Sequence, residues 1–255
     1  MIPFGDYELY VKDFGVGEPT VIIEQGLNCK TYAYHDLAER LSKITRVISY
    51  DHAGIGQSTP NSNPRTLPYY VKELKALIEY KHLKPPYILV GHSLGGHIIR
   101  YYAYLYPDEV AGLVLVDHPH EDWFQYIRTH LPKKNLEKFN NFWNPQTSDY
   151  NGVGLMELSE YESNCDSIRG KKIPSNIPVR MYTGTKWGGW AKYFGYRKED
   201  MKVWAELQSS LLIGVKDAKQ VISSRADHLF YISNPRKVVS GVKDLIELYR
   251  KNKKK

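Results

Sequence analysis

Short apolar runs recur along the chain at residues 7–13, 20–24, 45–50, 87–90, 111–116, 179–183 and 219–224. Between them lie stretches whose apolar residues return every three to four positions, which predicts helices over 31–43, 67–82, 94–106, 201–213 and 235–251. The last of these gathers Val238, Val239, Val242, Leu245, Ile246 and Leu248 on one face. This alternation predicts an α/β fold, a mostly parallel sheet covered by helices on both faces. In such sheets ligands bind at the carboxyl ends of the strands.

The alternation lapses between Asp117 and Pro178, where Trp123, Phe124, Tyr126, Phe139, Phe142, Trp143 and Tyr150 interrupt polar, Asn-rich sequence. A stretch of that length does not stay structureless inside a compact domain. It is read as a small, mostly helical cap, residues 118–178, inserted into one core of residues 1–117 and 179–255. Its aromatics make an apolar roof over the strand ends.

Gly91-His92-Ser93-Leu94-Gly95 stands directly after the run 87–90 and directly before a helical pattern that continues to Pro107. Strand, sharp turn and helix in that order are the context in which G-x-S-x-G becomes a nucleophile elbow. The small residues on either side of Ser93 let strand and helix pass close together, and the helix start offers unpaired N–H groups where an oxyanion would form.

A serine hydroxyl needs a base, and the base needs an orienting group. His228 follows the run 219–224 on a loop before the final helix, and a neutral imidazole there accepts the serine proton and later returns it to the leaving group. His118, His120 and His130, at the entry to the cap, are weaker candidates, and His92 points away from the serine on the elbow. The acid is open. The loop after 179–183 reads Thr183-Gly184-Thr185-Lys186-Trp187-Gly188-Gly189-Trp190 and holds no carboxylate, while Glu199 and Asp200 come too late for that turn. Asp117, at the end of the strand after the elbow, is preferred, with Asp227, Glu121 and Asp122 as alternatives.

Oxyanion stabilisation requires two backbone donors. Leu94, after the serine, supplies one, and the loop Gln25-Gly26-Leu27-Asn28 supplies the other through the Leu27 amide, with Gly26 permitting close approach. Gly26, His92, Trp123, Trp143 and Trp187 are assigned to the substrate pocket.

Charge and cysteine content narrow the classes. The formal charge is +7 at pH 7, but the terminal Lys251-Asn252-Lys253-Lys254-Lys255 supplies much of it as a solvated, frayed tail, and basic and acidic residues are interspersed elsewhere. This argues against a nucleic-acid partner. No stretch approaches the roughly 18 apolar residues of a membrane span, and the chain opens without a secretory leader pattern. With two cysteines, Cys29 and Cys165, no disulfide framework is implied, and a cytoplasmic location follows. No metal or organic cofactor is called for by this chemistry, and no pattern sets an oligomeric state.

Together, Glu24-Gln25-Gly26, the segment from Asp51 through Ser58, Gly91-His92-Ser93-Leu94-Gly95-Gly96, the strand ending Val116-Asp117, and Asp227-His228 resemble the α/β-hydrolase fold family. The resemblance implies an eight-stranded, mainly parallel sheet with Ser93 and His228 as nucleophile and base. Glu24-Gln25 stands where the family commonly has His-Gly, and His52 replaces the more usual Arg. The late-strand acid is missing too, although some members, including certain lipases, place it where Asp117 stands. The function implied is hydrolysis of a carboxylic ester, thioester or lactone on a small molecule with an apolar group, through an acyl-enzyme. Amides share the machinery. Acyl transfer, cofactor-free lyase chemistry, or a small-molecule receptor on the same scaffold are the alternative readings.

Overall fold

The computed structural model describes residues 1–254. The chain opens with β1 (Ile2–Phe4) and β2 (Tyr7–Leu9), a hairpin, then β3 (Val11–Phe14) and β4 (Val21–Glu24). A 3-10 turn at Thr31–Tyr34 leads into α1 (His35–Ser42), followed by β5 (Val47–Tyr50), α2 (Leu67–Tyr80), β6 (Tyr87–His92), α3 (Leu94–Leu105) and β7 (Val110–Val116). Four helices come next: α4 (Trp123–His130), α5 (Lys133–Trp143), α6 (Gly152–Ser159) and α7 (Tyr161–Ile168). The chain returns as β8 (Val179–Gly184), α8 (Gly189–Phe194), α9 (Lys198–Ser210), β9 (Ala218–Ser223), α10 (Phe230–Ser233) and α11 (Pro235–Asn252).

Among the described residues the main sheet has 7 strands in the order β3-β5-β4-β6-β7-β8-β9, parallel except for β3. The count is one short of the eight implied by the family resemblance. The run 7–13 breaks at Tyr10: its first half turns back onto β1, and its second half alone joins the sheet against β5.

Parallel strands buried on both faces read as continuous apolar runs, because alternate side chains serve opposite cores. Ile22, Leu89, Leu113 and Leu115 pack with α2 and α3 on one face. Val21, Ile23, Ile88, Val90, Val114 and Val116 pack with α1 and α11 on the other. α11 runs through Asn252, the second residue of the expected lysine tail, and Lys253 Nζ reaches Glu18 Oε2 at 2.5 Å. The tail's last residue, Lys255, lies outside the described residues.

β4 sits between β5 and β6, so the loops leaving β4 and β6 diverge and open a crevice at their carboxyl ends. No described helix is long and apolar enough to cross a membrane.

Candidate active site

Ser93 occupies the turn between β6 and α3 with φ 53° and ψ −120°, a left-handed conformation that costs a non-glycine residue of order 1–3 kcal/mol. The surrounding packing enforces it. A β-carbon on Gly91 would fall 2.5 Å from the Gly95 carbonyl oxygen, and one on Gly95 would strike the Glu24 carbonyl. The Ser93 amide donates to Val116 O at 3.2 Å, and His118 Nδ1 donates to Ser93 O at 3.2 Å. His118 Nε2 faces Arg100 Nη1, which can only donate, so Nε2 accepts and the proton sits on Nδ1. Burial, with His97 and Arg100 adding to it, holds the His118 pKa well below the usual histidine value. His118 is therefore a buried brace for the elbow.

His228 Nδ1 donates to Asp117 Oδ2 at 2.8 Å. The other carboxylate oxygen of Asp117 accepts from the Gly184 amide at 2.8 Å and from Trp204 Nε1 at 3.2 Å, so both oxygens are satisfied in a residue that is 2 % exposed. Like Ser93, Asp117 has positive φ, +43°, where the chain leaves the strand end. The other acids considered are engaged elsewhere. Glu121 pairs with Arg100 at 2.8 Å, which outweighs the effect of burial and lowers its pKa to about 2. Asp122 pairs with Arg169, and Asp227 Oδ1 accepts from the Leu229 amide at 3.1 Å. The remaining histidines are also occupied: His120 Nδ1 accepts from the Asp122 amide at 3.0 Å, and exposed His130 stacks on Tyr126.

Gly26 lies against the elbow: a β-carbon there would sit 2.9 Å from His92 Nδ1 and 3.3 Å from Ser93 Cβ. The Gly26 amide donates to Tyr34 Oη at 2.9 Å, the Asn28 amide to Glu157 Oε2 at 2.6 Å, and the Cys29 amide back to Gly26 O at 3.0 Å. Among the described residues Leu27 has the one amide of these four without an intramolecular acceptor. Leu94, the first residue of α3, presents its amide at the open N-terminal end of that helix.

Ser93, Asp117, His228, Gly26, Leu27 and His92 all line one cavity of about 410 Å³. Its walls are aromatic: Trp123, Phe124, Phe142, Trp143 and Tyr161 from the four-helix insertion, and Trp190, Phe194 and Trp204 from α8 and α9. The two sources interlock, with ring centroids 4.9 Å apart for Trp123–Trp204 and 5.2 Å for Phe142–Phe194. Trp187 is not among the lining residues, contrary to expectation. Its indole N–H donates to Tyr196 O at 2.7 Å, which holds the ring, 41 % exposed, in a neighbouring surface depression beside Lys192. No described group of three or more His, Cys, Asp or Glu could hold a metal ion.

The residues matched by the model of the α/β-hydrolase fold are 19–152, from before β4 to the start of α6. The chain belongs to the α/β-hydrolase fold family. The Bacillus subtilis (strain 168) protein YqjL is 31 % identical over 231 residues, 89 % of this chain and 83 % of that one. The human mitochondrial palmitoyl-protein thioesterase ABHD10 is 30 % identical over 145 residues, 54 % of this chain and 46 % of that one. The mouse alpha/beta hydrolase domain-containing protein 10 shares the fold, with a TM-score of 0.65 at 19 % identity over 97 % of this chain and 98 % of that one.

Three contributors of this α/β-hydrolase site escape sequence reasoning: Trp204 against Asp117, Tyr34 between Gly26 and His92, and Glu157 against Asn28. None sits in a motif, and each acts through a contact that only the folded chain makes. Two of the three departures from the family pattern, Glu24 and His52, turn out to be partners. His52 Nε2 lies 3.1 Å from Glu24 Oε2 and its Nδ1 lies 3.0 Å from Glu157 Oε1. Burial lowers the His52 pKa, but hydrogen bonds to Glu157 and Glu24 outweigh it and raise the value to about 10. The imidazolium thus stays charged between two carboxylates.

Proposed function

We propose that this chain is a serine hydrolase cleaving a carboxylic ester, thioester or lactone with an apolar acyl or alcohol group, through an acyl-enzyme. Ser93 Oγ attacks the substrate carbonyl carbon while its proton passes to His228. Asp117 holds Nδ1–H of His228, leaving Nε2 as the accepting nitrogen, and stabilises the imidazolium that forms. The Leu27 and Leu94 amides receive the negative oxygen. Collapse of the tetrahedral intermediate expels the leaving group, which takes the proton back from His228. Water then attacks the acyl-serine by the same route in reverse.

The observation that carries this reading is the 2.8 Å hydrogen bond from His228 to Asp117 at the cavity that Ser93 also lines. It also weakens the receptor reading, which a triad without an acid would favour. The four-helix insertion serves as a cap, and its roof extends past residue 178 into α8 and α9. The aromatic lining supports an apolar acyl group, and likeness to a protein named as a palmitoyl-protein thioesterase supports counting thioesters among the substrates. Transfer to an acceptor other than water and lyase chemistry have no comparable observation behind them.

A fluorophosphonate probe and a panel of p-nitrophenyl esters of increasing acyl length test the proposal. The wild-type chain labels at Ser93 and turns over the panel, with a maximum where the acyl chain fills the cavity, and Ser93→Ala loses both while remaining folded. A folded wild-type chain that neither labels nor hydrolyses any ester overturns it.

A further inference from the structure

Glu157 belongs to α6, in the helical insertion, yet its carboxylate is 0 % exposed and is shared among core residues. Oε1 accepts from Tyr70 Oη at 2.9 Å and faces His52 Nδ1 at 3.0 Å, and Oε2 accepts from the Asn28 amide at 2.6 Å. His52 is held in turn by Glu24, whose Oε1 accepts from Tyr50 Oη at 2.6 Å. A buried charge persists only when paired and hydrogen-bonded, and this arrangement supplies both on every side.

Asn28 is the residue after Leu27 and has φ +54°, a left-handed conformation that asparagine tolerates but that needs holding. Its amide is held by Glu157, as the Gly26 amide on the other side is held by Tyr34. The Leu27 amide is therefore presented between two anchors, one from the core and one from the insertion.

We propose that Glu157 is a positioning residue for oxyanion stabilisation: seated on His52 and Glu24, it clamps the Asn28 amide and so aims the Leu27 amide at the cavity. This rests on the serine hydrolase reading given above. The consequence is that the oxyanion site is complete only when α6 is docked, so the insertion contributes to catalysis as well as roofing the pocket. Glu24 and His52 form the socket for a carboxylate arriving from the insertion.

The test compares Glu157→Ala, Glu157→Gln and Val153→Ala in the full chain. Val153 lies on the same helix and packs near Gly54, so its truncation loosens α6 packing while leaving the Glu157 carboxylate in place. Two readouts are taken on folded protein: kcat and KM on the best p-nitrophenyl ester, and hydrogen–deuterium exchange of peptides covering residues 26–29. Because oxyanion contacts act on the transition state, Glu157→Ala lowers kcat by about tenfold or more with KM within about threefold. It also speeds exchange at 26–29. Glu157→Gln, which keeps an oxygen acceptor, recovers most of kcat, and Val153→Ala stays near wild type in both readouts. Equal kcat and equal exchange in Glu157→Ala and Val153→Ala overturn the clamp. If the wild-type chain neither turns over nor labels, the hydrolase reading fails. Exchange then decides the clamp alone: faster exchange confined to Glu157→Ala upholds it as an anchor of the loop, and unchanged exchange overturns it.

Discussion

His92 Nε2 donates to the backbone carbonyl of His228 at 2.9 Å, tying the residue before the elbow serine to the loop that carries the imidazole facing Asp117. The facing carbonyl can only accept, so the proton of His92 sits on Nε2 and Nδ1 is left to accept from Tyr34 Oη at 2.8 Å. Burial, reinforced by His228 nearby, keeps the His92 pKa well below the usual histidine value, so this tautomer persists. Tyr34 Oη in turn accepts from the Gly26 amide, which makes one continuous chain from the Gly26 loop to the His228 loop.

Removing the middle of that chain tests it. Tyr34→Phe leaves the Gly26 amide and His92 Nδ1 buried without partners, a loss of about 1–3 kcal/mol in urea unfolding. Turnover falls with it, because the Gly26 and His228 loops lose their common tether. Stability and kcat both at wild-type values would show that the chain of hydrogen bonds holds nothing in place.

Asp117→Asn separates the acid assignment from its rivals. An amide nitrogen facing His228 Nδ1 favours the wrong tautomer, and kcat drops on the order of ten-thousand-fold. Asp227→Asn leaves kcat within a few-fold, since that carboxylate only accepts from the Leu229 amide. Steady-state kinetics on one ester decides between them, and the reverse ranking removes Asp117 from the mechanism.

At Leu27 the proposed oxyanion donor is the backbone amide. Leu27→Ala keeps the donor and most of kcat, whereas Leu27→Pro deletes it and lowers kcat on the order of a hundredfold or more. Similar losses in the two variants would assign the oxyanion contact to another amide.

Folding stability carries the signature of His52. Its folded pKa, raised to about 10, exceeds the unfolded value of about 6.5, so its contribution is fully present below about pH 6.5 and is lost as pH rises through about 10. Tm accordingly falls as the pH is raised from about 7 to about 10. His52→Gln starts lower and shows a flatter profile over that window. Parallel profiles for the two proteins, measured by calorimetry, would remove the charge from His52.

Local elements were legible where short-range patterns act alone. The elbow strand and the strand before Asp117 follow from continuous apolar runs buried on both faces, and the elbow helix and the apolar face of α11 follow from their helical periodicity. α8 was not legible: a helix of 6 residues between Gly188 and the left-handed Gly195 cap is too short to show a repeat. α9 begins at Lys198, earlier than its apolar pattern suggests, because the Asp200 carboxylate accepts from the Arg197 amide at 2.6 Å and caps the first turn.

By itself the sequence determined the family, the alternation of strands and helices, and the strand-turn-helix setting of Ser93, since these depend on neighbours along the chain. Tertiary structure decided which carboxylate meets His228, what Glu24 and His52 touch, and that α8 and α9 line the cavity together with the insertion. Those choices are contacts across sequence separations of 111 residues for Asp117–His228 and 105 for His52–Glu157. Such contacts are set by the order in which strands lie side by side, a property of the whole sheet that no local run of residues encodes.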